Sequence, residues 1–314
     1  MDKRLDLGIK SGLANQILCG FVLGGISGDE GLKENSEKLL DQLGEEMGDL
    51  TDYTFNTGLT GIGWMIEYCM QQGFLDINTD DVLEDLDDNC YKRTLINLSN
   101  KRYDIDELLG LTIYHLIRSK SKNVGAHYYR QFIHIECVKL LARHLNKYLT
   151  ENLKKIKNGK SLSIDKLNDI TRVMLKISHL VGQTKLEKIF ETAFYATIDN
   201  FRSFYQHLLS GKCSASAEIA LHRLICFNLL MVVTQYDHPM WITEFESYFN
   251  RLSEIQINLD KTYNEKQQVL EEMFNHSKIA NAKLPYWLNL DKGRELLSFF
   301  LSNYSLFKVT PHFN

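Results

Sequence analysis

The sequence contains only three prolines, Pro239, Pro285 and Pro311, and all of them lie in its last quarter. Proline interrupts helices, so a proline-poor chain rich in Leu, Ile, Lys and Glu favours long helices. Apolar residues recur every three or four positions, as they do along the stretch 167–180, and no segment alternates as a strand would. The sequence therefore predicts an all-α protein of about twelve helices.

Cysteine pairs of the CxxC type are missing, although the chain contains six cysteines. Each cysteine lies in or beside an apolar helical stretch: Cys19, Cys69, Cys90, Cys137, Cys213 and Cys226. Paired zinc knuckles and a small disulfide framework are therefore poorly supported. We expect reduced thiols and, with them, a cytoplasmic protein.

Long hydrophobic runs and a strong net charge are also missing. The first twelve residues contain no apolar core of the kind that a secretory signal needs. The longest apolar run, 224–233, is broken by Asn228 and is shorter than the ~18 residues of a membrane span. The net charge of −4 gives no global footprint for nucleic acid. We therefore expect no membrane span and no nucleic-acid partner.

The glycine-rich stretch NTGLTGIGWMIEY (56–68) lacks the lysine of a phosphate-binding loop. It also lacks the strand and the third glycine of a dinucleotide fingerprint. Gly58, Gly61 and Gly63 are better explained as small residues that let another backbone approach a helix start closely. Further glycines at 12 or 20 and at 110 indicate a loose repeat of about 45–50 residues, with one helical hairpin per repeat.

Several other features have simple structural explanations. The motifs GxSxG and HExxH are absent. Asp237 and His238 precede a proline and are typical of a helix start, although an acid–base pair is the alternative. Three groups are predicted to be, in order, the solvated face of an outer helix, a solvated loop and core aromatics that could alternatively line a peptide groove. They are Asp76, Asp80, Asp81, Glu84, Asp85, Asp87 and Asp88; Lys154, Lys155, Lys157 and Lys160; and Tyr128, Tyr129, Phe132, Phe201, Phe204 and Tyr205.

The segment NTGLTGIGWMIEYCMQQGFLDINTDDVLEDLDD resembles the lanthionine synthetase C-like family, in which a GxxGxG-type motif opens an inner helix. The resemblance is closest over about 51–95 and extends more weakly over 12–120. It implies an α/α toroid, here of about six helical hairpins in a single domain over residues 1–314. The polar link 154–163 could instead divide the chain into two halves.

Family cyclases add a cysteine thiolate to a dehydrated Ser or Thr of a peptide and use a zinc ion held by two Cys and one His. The Cys-His-Gly landmark is missing, because no cysteine here is followed by histidine. The weak candidates for a relocated zinc site are His207, Cys213, His222 and Cys226, of which His222 and Cys226 are four positions apart on a helix. Burial in the core is the simpler explanation for Cys226.

The sequence thus favours a divergent, non-catalytic lanthionine-synthetase-C-like protein with no cofactor. It would bind a peptide substrate or other proteins of a pathway that modifies ribosomally made peptides. One alternative is a zinc-dependent thioether cyclase with the relocated site. The other is a glycan-active α/α barrel, for which the acids near a helix start are Asp104, Asp106 and Glu107.

Overall fold

The computed structural model describes residues 5–100, 104–123, 128–157, 162–178, 184–210 and 217–255, together with 294, 297 and 301. These residues form helices and no strands, which confirms the all-α prediction. The chain divides into two compact units: unit 1 (1–141 with 288–314) and unit 2 (142–287). The boundary falls inside a helix and not in the polar link. A single domain and a toroidal arrangement stay predictions.

Unit 1 consists of helices and one 3₁₀ turn, Met47–Asp49. The helices are α1 (Leu13–Ser27), α2 (Glu30–Glu46), α3 (Leu59–Gln71), α4 (Thr79–Val82), α5 (Glu84–Ser99), α6 (Ile105–Arg118) and the first part of α7 (Tyr128–Lys157). α1 packs on α2 and on α3, and α3 packs on α6. These three contacts bury the apolar faces of α1, α3 and α6, which form the core of the unit.

Helices α1, α3 and α6 begin at Leu13, Leu59 and Ile105, at equal intervals of 46 residues. The spacing agrees with the repeat of about 45–50 residues that the glycines predict. Gly12 and Gly58 precede the first two helices, whereas Asp104 precedes the third and accepts a hydrogen bond from the main chain of Asp106. The third start is therefore capped by a side chain, which is a common way to satisfy free N–H groups.

Unit 2 contains the rest of α7 and four further described helices. They are α8 (Ile164–Ser178), α9 (Thr184–Ser210), α10 (Ala217–Gln235) and α11 (Pro239–Ser253). α10 packs on α8 and on α11, and α11 packs on α9. Because α10 is apolar on nearly all sides, it has to be buried, and most of its side chains are.

The expectation that no apolar segment reaches the length of a membrane span is wrong for α10. By length and composition alone, Glu218–Gln235 could cross a membrane, and 72% of it is buried inside the protein. A buried core helix of a soluble protein meets the same criterion, so this single helix is weak evidence for a span.

Several predicted helix starts are confirmed. Asn78 accepts from the main-chain N–H of Asp80, and Ser163 accepts from Lys166 at the start of α8. Pro239 is in the first turn of α11, and His238 caps that helix by accepting from the main chain of Trp241. The helix-start explanation of Asp237 and His238 therefore holds.

Candidate functional site

The glycine-rich entrance of α3 is held by its own loop. The Asp52 carboxylate accepts from the main-chain N–H of Thr54 at 2.8 Å and from the hydroxyl of Thr57 at 2.6 Å. Its carbonyl oxygen accepts from the main-chain N–H of Leu59 at 2.8 Å. A Cβ at Gly58 would overlap that same carbonyl oxygen, so the loop closes only around a residue without a side chain.

The other two motif glycines lie where neighbours come close. A Cβ at Gly61 would overlap the carbonyl oxygen of Phe55, and one at Gly63 would lie 2.5 Å from the Tyr114 ring. Real Cβ atoms essentially never approach other atoms that closely. The geometry agrees with close packing as the role of these glycines.

A charged cluster is buried in unit 1 around Arg118, whose side chain is only 1% exposed. Its Nη1 donates to Glu67 at 2.7 Å and to Thr79 at 2.9 Å. Its Nη2 donates to Asp80 at 2.9 Å and to Asp87 at 2.6 Å, and its Nε donates to Asp87 at 3.0 Å. A guanidinium has five N–H donors, and these five bonds use all of them. The cluster therefore has no arginine donor left for a ligand.

A chain of hydrogen bonds continues from this cluster through two histidines. His134 Nε2 lies 3.3 Å from Asp87, and His134 Nδ1 lies 2.8 Å from His115 Nδ1. His115 Nε2 in turn lies 3.0 Å from the hydroxyl of Thr94. Neutral tautomers satisfy every link if His134 carries its proton on Nε2 and His115 carries its proton on Nδ1.

The cluster fixes the charge states of its members. Burial would raise the pKa of Asp87, but hydrogen bonds from His134 and Arg118 outweigh it and hold this pKa well below its usual value. Burial and the neighbouring His134 lower the pKa of His115 to about 3, so this imidazole is neutral at pH 7. A closed network of this kind fixes the packing of the helices and offers no free acid or base.

The acidic run was predicted to be a solvated helix face, and this is wrong for two of its members. Asp76, Asp81, Glu84, Asp85 and Asp88 are exposed. In contrast, Asp80 and Asp87 are only 5% and 7% exposed, because both carboxylates pair with Arg118. The sequence carried a signal: Asp80 and Asp87 share the three-and-four spacing of the buried Leu83 and Cys90.

The aromatic prediction is also wrong in part. Tyr128, Tyr129 and Phe132 are 81%, 72% and 49% exposed, so the first turns of α7 do not pack their aromatics into a core. Phe201 and Tyr205 are buried as predicted. In the lysine group, Lys154 and Lys155 are exposed on α7, which runs to Lys157, and Lys160 lies outside the described residues.

The zinc candidates lie on three segments. His207 is exposed near the end of α9, and Cys213 lies outside the described residues. On α10, the Cys226 thiol donates to the carbonyl of Phe245 at 3.6 Å, and burial raises its pKa. Burial also lowers the pKa of His222. The described part of the chain contains no group of three or more residues that could hold a metal, and the relocated zinc site stays a prediction.

The acids considered for glycan chemistry serve local structure. Asp104 caps α6. Glu107 accepts from Asn97 at 2.8 Å and from Arg93 Nη2 at 3.1 Å. These contacts tie α6 to α5.

Unit 2 contains a partly open cavity of about 200 Å³ between α7, α8 and α9. Its wall is mainly apolar and has no charged side chain. The lining residues are Leu149, Asn152, Leu153, Leu162, Leu167, Ile170, Thr197, Asn200, Phe201 and Phe204. Apolar pockets with a few polar groups are typical binding sites, so this cavity is the candidate functional site. The sequence analysis had named only its two phenylalanines.

Comparisons with known proteins give no further indication of function: no family model, no curated protein and no solved structure matches the chain.

Proposed function

We propose that the chain is a non-catalytic component that binds a segment of a peptide, with one apolar side chain of that peptide seated in the cavity of unit 2. The observation that carries the proposal is this cavity, which is apolar, uncharged and partly open. Its lining includes no His, Cys, Asp, Glu or Lys, so the wall supplies no strong acid, base or nucleophile. Such a wall can hold a group but cannot readily transform it.

The size of the cavity supports a side chain over a whole small molecule. Pockets for small molecules measure roughly 300–1,000 Å³. The present cavity of about 200 Å³ is smaller. A peptide that inserts one residue and lies along the protein surface on either side fits these dimensions.

The pathway is proposed from the sequence. The residues over 12–120 resemble the lanthionine synthetase C-like family, whose substrates are peptides with dehydrated Ser and Thr. A divergent member without the Cys-His-Gly landmark would bind such a peptide, or another protein of the pathway, without closing thioether rings. We propose a cytoplasmic location, where free thiols such as those of Cys19 and Cys69 stay reduced.

The test is capture of peptides from a random-sequence library by the full chain, with mass spectrometry of the retained peptides. Leu167 is half-buried and lines the cavity, and Leu167→Trp would fill the cavity from α8. We expect wild-type protein to enrich peptides with a shared apolar position and Leu167→Trp to lose this enrichment.

The matched control is Leu116→Trp, the same change at a half-buried position of α6 in unit 1. This variant should retain the wild-type peptides. Equal capture by all three proteins, or no capture by the wild type, would overturn the proposal.

A further inference from the structure

The three polar residues of the cavity wall use their donors in the same way. Asn152, Thr197 and Asn200 each donate a hydrogen bond of 2.6–2.8 Å to the main-chain carbonyl four positions earlier in their own helix. The nitrogens and the hydroxyl hydrogen therefore turn back to the helices. What remains for a ligand is the oxygen atom of each side chain, which accepts hydrogen bonds.

The oxygen of Asn152 is unsatisfied. The side chain is 3% exposed, and within the described ranges its Oδ1 has no hydrogen-bond partner. Its orientation is fixed, because the atom 2.8 Å from the carbonyl oxygen of Tyr148 has to be the nitrogen. A buried acceptor without a partner costs about 1–3 kcal/mol, so a donor that reached this oxygen would be favoured by a similar amount.

The rest of the wall defines the body that carries this donor. An apolar cavity of about 150 Å³ is known to hold a benzene ring, so about 200 Å³ accommodates one substituted ring. Phe201 and Phe204 line the cavity, and aromatic rings pack favourably on one another. A charged head group would be disfavoured, because no side chain of the lining carries the opposite charge.

We infer that the cavity is an anchor site for a neutral aromatic ring that carries an O–H or N–H donor, as in tyrosine or tryptophan, and that this donor binds Asn152 Oδ1. The inference rests on the proposed function only for the source of the ring, which is then a residue of the bound peptide. Asn152 thereby determines specificity, since an apolar residue at this position would accept a ring without a donor equally well.

The first experiment uses two small probes and the full chain. p-Cresol and toluene have the same ring and methyl group and differ in one hydroxyl. Their affinities are measured by calorimetry or by NMR titration for wild type, Asn152→Leu and Asn146→Leu. Asn146 is the matched control: it lies on the same helix, its Oδ1 is also buried without a partner in the part of the chain described, and it does not line the cavity.

We expect the ratio of p-cresol to toluene affinity to fall by roughly tenfold or more in Asn152→Leu and to stay unchanged in Asn146→Leu. If Asn152→Leu does not fold, wild-type protein answers the question alone. The probe 4-methylanisole keeps the oxygen of p-cresol and loses its donor, so it should bind about tenfold or more weakly than p-cresol. Equal ratios in all proteins, or equal binding of p-cresol and 4-methylanisole, would overturn the inference and indicate that water serves Asn152.

The second experiment identifies the source of the ring. Captured peptides are resynthesised with Tyr, Trp, Phe or Leu at the shared position. Tighter binding of the Tyr and Trp forms by about tenfold supports both proposals. Peptide binding without this preference overturns the inference and leaves the proposed function standing. A preference for p-cresol without any peptide binding overturns the proposed function and assigns the site to a free aromatic ligand.

Discussion

His115 lies inside α6 with no exposed surface, and its two ring nitrogens face His134 and Thr94. A proton added to this ring would have to be carried in a site without water. Burial is the main reason that the pKa falls to about 3, and the adjacent His134 lowers it further. The residue therefore links the stability of unit 1 to pH.

The pH dependence has a definite sign. The unfolded chain binds a proton at His115 near pH 6.5, whereas the folded chain does so only near pH 3. Between these values the unfolded state binds more protons, so the free energy of unfolding falls as the pH is lowered from 6.5. The slope from this group is at most about 1.4 kcal/mol per pH unit.

The prediction is that His115→Gln loses less stability than wild type between about pH 6.5 and 4.5, above the range in which carboxylates titrate. Urea unfolding at several pH values measures the two slopes. His207→Gln is the control, because His207 is exposed and should leave the slope as in wild type. Parallel curves for His115→Gln and wild type would show that His115 is not the linked group.

Among the elements, α1 and α3 share one design of helix entrance. Asp6 repeats the bonds of Asp52: its carboxylate accepts from the main chain of Gly8 at 2.9 Å and from the Ser11 hydroxyl at 3.1 Å. Its carbonyl oxygen accepts from Leu13 at 2.8 Å. The eight-residue segments DLGIKSGL and DYTFNTGL thus fold alike.

The close approach within α3 predicts a contrast between two glycines. Gly61→Ala would bring a Cβ into the carbonyl of Phe55, and we expect a loss of stability of about 1–3 kcal/mol. Gly44→Ala in α2 meets nothing within 4 Å, and alanine favours helix, so we expect a gain of up to about 1 kcal/mol. Chemical denaturation of both variants measures the difference. A neutral or stabilising Gly61→Ala would contradict the packing role.

Helix positions could be predicted from the sequence because the apolar period is a local property. The predicted centres at 65, 112, 172 and 197 lie within α3, α6, α8 and α9. The predicted centre at 267 lies outside the described residues, whereas 294, 297 and 301 are helical near the predicted centre at 298.

The candidate site and the charged cluster could not be predicted in the same way. Arg118 pairs with Glu67 and Asp87, which lie 51 and 31 positions away, so each partner is supplied by tertiary structure. A signal existed in Glu67, which interrupts the apolar run WMIEYCM on a helix that is otherwise buried. For Asn152, the period places the residue on α7 but gives no information on whether a cavity lies beside it.

At the scale of the whole molecule, the two compact units hold their charged side chains differently. In unit 1, Arg118 and its three carboxylates are all at most 7% exposed. In unit 2, Arg202 donates to Glu244 Oε1 at 2.7 Å, but both side chains are about one quarter exposed. Only the first set leaves buried charges behind when its arginine is removed.

Arg118→Met should therefore destabilise the protein by about 3–5 kcal/mol, because three buried carboxylates lose their counter-charge. Hydrogen exchange read by mass spectrometry should show the largest acceleration in α3, α5 and α6. Arg202→Met is the matched control and should cost no more than about 1 kcal/mol. Similar losses for both variants, or a faster exchange centred on α10 instead, would be inconsistent with the cluster as the main electrostatic support of unit 1.

The paired entrances of α1 and α3 have a consequence for how such a chain can grow. Every polar bond that we describe for these two loops lies within its own eight residues, so the start of an inner helix is a self-contained cassette. A cassette of this kind can be copied or transplanted without redesign of its surroundings. The third start, where Asp104 caps α6 with its own side chain, marks the copy in which a simpler part has replaced the cassette.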